Sequence, residues 1–218
     1  DKGTGVTVDS SDNIYVTGRT QGGLDGNTFS ADYDIILMKL NSSGDKQWTQ
    51  VFGTSSHDWG TGVTVDSSDN IYVTGFTDVG NDGTLVSGNK DIVLVKYNSS
   101  GTKQWTQQLG TSTDDLGYGV AVDSSDNIYL TGWTQGGLDG NTNSGENDTF
   151  LVKYNSSGVK QGTKQLGTSS QDYARGVTVD SSNNIYVSGS TYGGLDGNTN
   201  SGTYDTFLVK YNSSGTKQ

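Results

Sequence analysis

An all-β fold, a β-propeller of four 57-residue, four-stranded antiparallel blades, is predicted by three observations. The word VDSSDNIYVTG at Val8 returns at Val65, as VDSSDNIYLTG at Val122 and as VDSSNNIYVSG at Val179, each step being 57 residues. The segments between are short, rich in β-branched and aromatic residues, and bounded by Asn/Asp/Ser/Gly turns. One strand per copy is apolar at consecutive positions, as in Ile35-Ile36-Leu37-Met38. Such a strand is covered on both faces, and a blade sandwiched between neighbours supplies that cover. An antiparallel four-stranded unit at this period suits a propeller blade.

Within a copy, GVTVD is the first strand and NIYVTG the second, with Ile14 and Val16 facing opposite to Tyr15 and Thr17. DIILMKL, DIVLVKY or DTFLVKY is the third, and KQWTQVFG or its equivalent the fourth. SSD joins the first pair and NSSG the last, both turns in which a side-chain oxygen bonds the backbone and Gly takes positive φ. No segment has a helical apolar period. The blades run approximately over 5–61, 62–118, 119–175 and 176–218 of a single domain, 1–218. GVTVD is expected innermost, and the polar KQWTQ strand outermost. Trp48 and Trp105 share one register of that strand and are expected to seal gaps between blades; Gly162 replaces them in the third copy.

Ten residues are wanting from four full copies, the equivalents of Trp48 to His57. The last blade is therefore expected to lack its outer strand. Two arrangements fit: a sector of a larger ring, either part of a longer chain or paired with a second copy to make eight blades, or a four-bladed ring that tolerates a short last blade. The chain starts at Asp1 without initiator Met or signal peptide, as a processed protein or an excerpt would.

Hydrophobic residues make up 29% of the 218, and the net charge is −11. That apolar supply is lean but enough for thin, sheet-type cores. With a pI near 4.2 and no basic patch, the chain repels nucleic acid and anionic lipid. There are no cysteines, hence no disulfides or thiolate metal sites. No apolar run approaches the roughly 20 residues of a membrane helix.

The repeat words resemble the bacterial β-propeller repeat known as SBBP, whose pattern runs roughly D-x-x-x-N-x-Y-V-T-G, then D-x-F-[LV]-x-K-Y, then G-x-x-x-W. All four copies carry the first two parts, at Asp9 to Gly18 and Asp34 to Leu40 and their equivalents; Trp48 and Trp105 carry the third. The resemblance implies a propeller in secreted or cell-surface bacterial proteins. It implies no common activity.

Candidate sites follow from what varies. Constant positions build blades; varying positions next to loops are free for specificity. Arg19, Phe76, Trp133 and Ser190 share one register; Gln21, Asp78, Gln135 and Tyr192 a second; Trp59, Leu116 and Tyr173 a third. Arg19, Phe76, Trp133, Tyr192, Trp59 and Tyr173 are the ligand-binding candidates, suited to stacking on sugar rings or anchoring a protein partner. The competing role for them is plugging the seams between blades.

GGLDGNTNSG-type loops place Asp25, Asp82, Asp139 and Asp196 in one register; their oxygens and backbone carbonyls would suit calcium, but the complete EF-hand spacing is absent and an Asx-rich turn is the favoured reading. SHDWG, TDDLG and SQDYA echo an Asp-box turn. The NSS triplets match glycosylation sequons, which turn chemistry already explains. His57 is the only histidine, so a catalytic triad and a multi-His metal centre are excluded, and no enzymatic activity is expected. Two functions are weighed: an interaction module presenting blade loops to a protein or glycan, and a structural unit that self-associates.

Overall fold

The computed structural model describes residues 1–30, 32–78 and 89–218. Among these, fifteen strands form four antiparallel sheets. The first blade holds β1 (Lys2–Val8), β2 (Ile14–Thr20), β3 (Asp34–Leu40) and β4 (Lys46–Phe52). The second holds β5 (Asp58–Val65), β6 (Ile71–Thr77), β7 (Asp91–Tyr97) and β8 (Lys103–Leu109); the third β9 (Asp115–Val122), β10 (Ile128–Thr134), β11 (Asp148–Tyr154) and β12 (Lys160–Leu166). The fourth holds three: β13 (Asp172–Val179), β14 (Ile185–Thr191) and β15 (Asp205–Tyr211). A rudiment of a fourth remains, with Lys217 bridging Tyr211.

The turn words act as expected. Asp9 Oδ1 accepts from the Ser11 and Asn13 amides, both at 2.9 Å, while Tyr15 donates its hydroxyl to Oδ2 at 3.0 Å. That closes the β1–β2 hairpin and places Asp12 in the left-handed region, φ 60°. The same bonds recur at Asp66, Asp123 and Asp180. In the β3–β4 turn Asn41 Oδ1 accepts from the Ser43 and Asp45 amides, and Gly44 takes φ 86°.

First strands meet across the seams. A Cβ on Gly62 would stand 2.7 Å from the Tyr118 carbonyl, and one on Gly119 3.0 Å from the Val177 nitrogen. Thr4 and Thr61 donate their hydroxyls to the carbonyls of Gly60 and Gly117 at 2.6 and 2.8 Å. GVTVD is therefore innermost, and the Trp-bearing strand is the outer edge. Each core is a seam: Tyr15, Ile35 and Leu37 of the first blade pack on Val63, Ile71, Val73, Val93, Val95 and Tyr97 of the second, with Trp48 and Phe52 at the margin. The next two seams repeat this.

The blade boundaries need correction. A blade boundary at 61/62 cuts through β5, which starts at Asp58; 118/119 and 175/176 likewise fall inside β9 and β13. The glycines of DWGTG look like loop, yet a register shift between Gly60 and Gly62 absorbs the extra residue and keeps the strand paired. The first strand is thus longer than GVTVD. Of the two ring arrangements, the open sector is the one observed: among the described residues the first and fourth blades show none of the strand packing that joins neighbours. Val6 is 68% exposed where its equivalent Val63 is 8% exposed, and Leu208 on the last blade is 69% exposed.

Candidate functional site

Two kinds of loop share one end of the blades: the long β2–β3 type and the crossovers from each fourth strand to the next first strand. They are stitched together at the seams. Tyr33 and Asn147 form parallel bridges with His57 and Gln171, and the Asp58 amide donates to the Tyr33 carbonyl at 2.7 Å.

Beneath this face lie buried carboxylates. Asp34 and Asp58 approach one another at Gly53, where a Cβ would sit 2.5 Å from Asp34 Oδ1 and 2.8 Å from Asp58 Oδ2. Asp58 Oδ2 accepts from the Thr54 amide and hydroxyl at 2.6 and 2.8 Å, so the Asp-box-like residue caps the crossover. Burial pushes the Asp58 carboxyl up, and the Asp34 charge adds to the rise; bonds from Thr77 and Thr54 oppose it. Asp115 repeats this with Asp91.

The ligand-binding candidates separate into two groups above these acids. At the first seam the Arg19 guanidinium covers Trp59, whose ring lies 5.4 Å from that of Phe76. Phe76 is buried beneath it and acts as a plug. Beside them Asp78 Oδ2 lies 3.3 Å from His57 Nδ1, and Lys90 Nζ 3.4 Å from Asp114 Oδ2. His57, Trp59, Phe76, Asp78 and Lys90 line a shallow cleft of about 320 Å³. At the third seam Trp133 meets Tyr173 edge-on at 5.6 Å, and Tyr173 leads to Tyr192 at 6.2 Å and on to Tyr204 at 5.5 Å. Burial raises the Tyr173 hydroxyl. At the second seam the register carries Leu116, which is buried.

Tyr33, Tyr204 and Arg175 complete these clusters and were not among the sequence candidates. Tyr33 receives Arg19 at 4.3 Å, and Arg175 covers Tyr118 at 4.1 Å. Tyr33, Lys90, Asn147 and Tyr204 share one variable register just before the constant Asp of the third strand, a signal of the same kind as the three registers read above.

Asp25 Oδ2 accepts from the Thr49 hydroxyl at 2.5 Å and Oδ1 from the Lys46 ammonium, and the bond from Lys46 lowers its carboxyl. Asp139 binds Lys160 and Thr163, and Asp196 binds Lys217. All three adopt positive φ in the loop. A calcium ion there would have to displace a lysine. Asp82 lies outside the described residues. Among the described residues no group of three or more His, Cys, Asp or Glu stands ready for a metal.

The stacked antiparallel blades define the class: a propeller-type repeat array. The chain belongs to the beta-propeller repeat family SBBP, whose family model matches residues 1–25, 47–82, 104–139 and 161–196, more than half the chain. Curated relatives include an uncharacterized WD repeat-containing protein of Acanthamoeba polyphaga mimivirus, 28% identical over 186 residues, and the regulatory protein FlaEY of Caulobacter vibrioides, 29% identical over 157. Each alignment takes in 67% of this chain but only 13% and 16% of those proteins. Among solved structures, a gluconolactonase from Xanthomonas campestris aligns with 99% of the chain and 60% of its own at TM-score 0.56 and 10% identity. A protein of unknown function from Bacteroides caccae aligns over 99% and 65% at 0.55 and 9%.

The gluconolactonase corrects the expectation that no enzyme is to be found here. Its likeness is one of fold, and that protein is named as an enzyme. The lack of a histidine triad excludes that one mechanism and is no argument against enzymatic activity of another kind.

Proposed function

We propose that the chain is an interaction scaffold that binds a glycan or a protein on the loop-bearing end of its blades. The observation that carries the reading is the Tyr173–Tyr192–Tyr204 row, in which Tyr192 is 38% and Tyr204 61% exposed on otherwise constant blades. Tyrosine rings bring apolar area with a polar rim at small entropic cost, which suits recognition. Placement outside the cell or on its surface rests on what the repeat words imply by resemblance. A glycan array followed by Tyr192→Ala/Tyr204→Ala is the test. Loss of the captured glycan by tenfold or more, with the fold intact, supports the reading; unchanged capture overturns it.

A second reading, self-assembly, is favoured by the bare flanks. Val6 and Val8 on the first blade and Leu208 on the last occupy registers that lie in or beside the internal seams. A further blade, from a second copy or a longer polypeptide, would meet them as the internal seams do. Sedimentation at rising concentration tests this: Leu208→Glu should abolish association, and a concentration-independent 23.0 kDa species overturns it.

A further inference from the structure

At the first two seams a tryptophan of the outer strand lies over the next blade's third-to-fourth-strand turn. A Cβ on Gly101 would come within 3.1 Å of the Trp48 indole, which also lies 6.1 Å from the Tyr15 ring. Trp105 repeats this over Gly158 at 3.1 Å and beside Tyr72 at 5.9 Å. Gly101 and Gly158 are buried under these rings.

At the third seam the same register is Gly162. It pairs with Lys153 as Trp48 pairs with Lys39 and Trp105 with Lys96. Nothing lies within 4 Å of the place its Cβ would take. Gly215, the equivalent of Gly101, is no longer buried; its nearest neighbour there is Lys164 Cε at 3.9 Å. Yet the receiving ring, Tyr129, stays 2% exposed. A cavity of about 280 Å³ remains, with Tyr129, Leu151, Ile185, Gly162 and Gly215 in its wall and the polar side chains of β12 and of the last turn, Lys153 beside them, around its rim.

We propose that this cavity is a binding site for an indole-sized planar aromatic ring. Its walls are those that hold tryptophan twice elsewhere in the molecule: a tyrosine, a bare glycine turn and aliphatic strand residues. The seam keeps its form without the ring, so the site is pre-formed and a ligand need not order it. Lys153 Nζ stands 5.3 Å from the Tyr129 centroid, and the Lys164 stem flanks the mouth. Both ammoniums favour an electron-rich ring over an aliphatic group of equal size. The site lies at the outer edge of the seam, away from the Tyr192 and Tyr204 rings, so its test is separate from that of the interaction face.

The intact chain is titrated with indole and with N-acetyl-tryptophan amide, followed by amide chemical shifts. Saturable, millimolar binding with shifts centred on Tyr129 and Gly215 is expected. Gly162→Trp should fill the cavity, raise Tm and abolish binding. Trp105→Gly should copy the site at the second seam and raise the stoichiometry from one ring to two, which keeps the test decisive if Gly162→Trp does not fold. Binding of both probes supports a site for any indole, including a partner's tryptophan. Binding of indole alone supports a site for a free aromatic molecule. No saturable binding of indole, or binding that survives Gly162→Trp, overturns the proposal.

Discussion

The Arg19 guanidinium carbon lies 3.3 Å from the centroid of the Trp59 ring, across the first seam, and 4.3 Å from that of Tyr33. The three side chains come from two blades, so the stack ties blade to blade as well as decorating the surface. Arg19→Ala is expected to cost about 1 kcal/mol, the range of a half-exposed cation–π contact. Arg19→Lys should restore only part of it, because an ammonium cannot stack flat. The urea midpoint of unfolding measures both.

Trp105→Ala should cost roughly 2 kcal/mol. A fully buried Trp→Ala change costs about 3–5 kcal/mol, and Trp105 is only partly buried at the outer edge. A loss below about 0.5 kcal/mol would show that the ring does not seal the second seam.

Acid should act in two steps. Asp58 and Asp115 have raised carboxyls in the fold, so the stability they contribute is fully present below the unfolded value of 3.8 and lost as pH rises through the folded value. Burial alone would raise Asp9 and Asp123 too, but bonds from Asn13, Ser11 and Tyr15, and from their equivalents, outweigh it and hold them low. Bonds from Asn184 bring Asp180 to about 2. Their stabilisation is present above 3.8 and lost below it. Tm is therefore expected to hold or rise slightly as pH falls from neutral toward the raised values, then to drop below about 4. Asp58→Asn should flatten the first step and leave the second.

Calcium and chelator should give the same Tm. Asp25, Asp139 and Asp196 are engaged by Lys46, Lys160 and Lys217, so no free carboxylate is offered to the ion. Lys160→Ala would remove the ion pair of Asp139 and leave its bond from Thr163. A calcium-dependent rise in Tm seen in the parent and lost in Asp139→Asn would instead establish these loops as metal sites.

Much of the blade was legible because its causes are local. The Asp9–Asn13 turn and the alternation of β2 are set within one hairpin, so the repeated word predicts them by itself; the left-handed Asp12 is added by the structure, since the turn reading gave positive φ to Gly alone. The candidate site was only half legible. Phe76 and Tyr192 stand in neighbouring variable registers, yet Phe76 is 5% exposed and Tyr192 38%. Nothing in either word distinguishes plug from surface.

By itself, then, the sequence determined four antiparallel units, their turns, their inner and outer strands and the short last blade. The tertiary structure decided what lies between the units: that Asp34 and Asp58 meet at Gly53, that Lys46 holds Asp25, and that Gly162 leaves a tryptophan-shaped gap over Gly215. The physical reason is the span of the contacts. A hairpin hydrogen bond joins Asp9 to a residue four positions away, whereas a seam bond joins Thr4 to Gly60, 56 positions on. Seam contacts form only when one blade stacks on the next, and stacking also decides which variable side chains are buried.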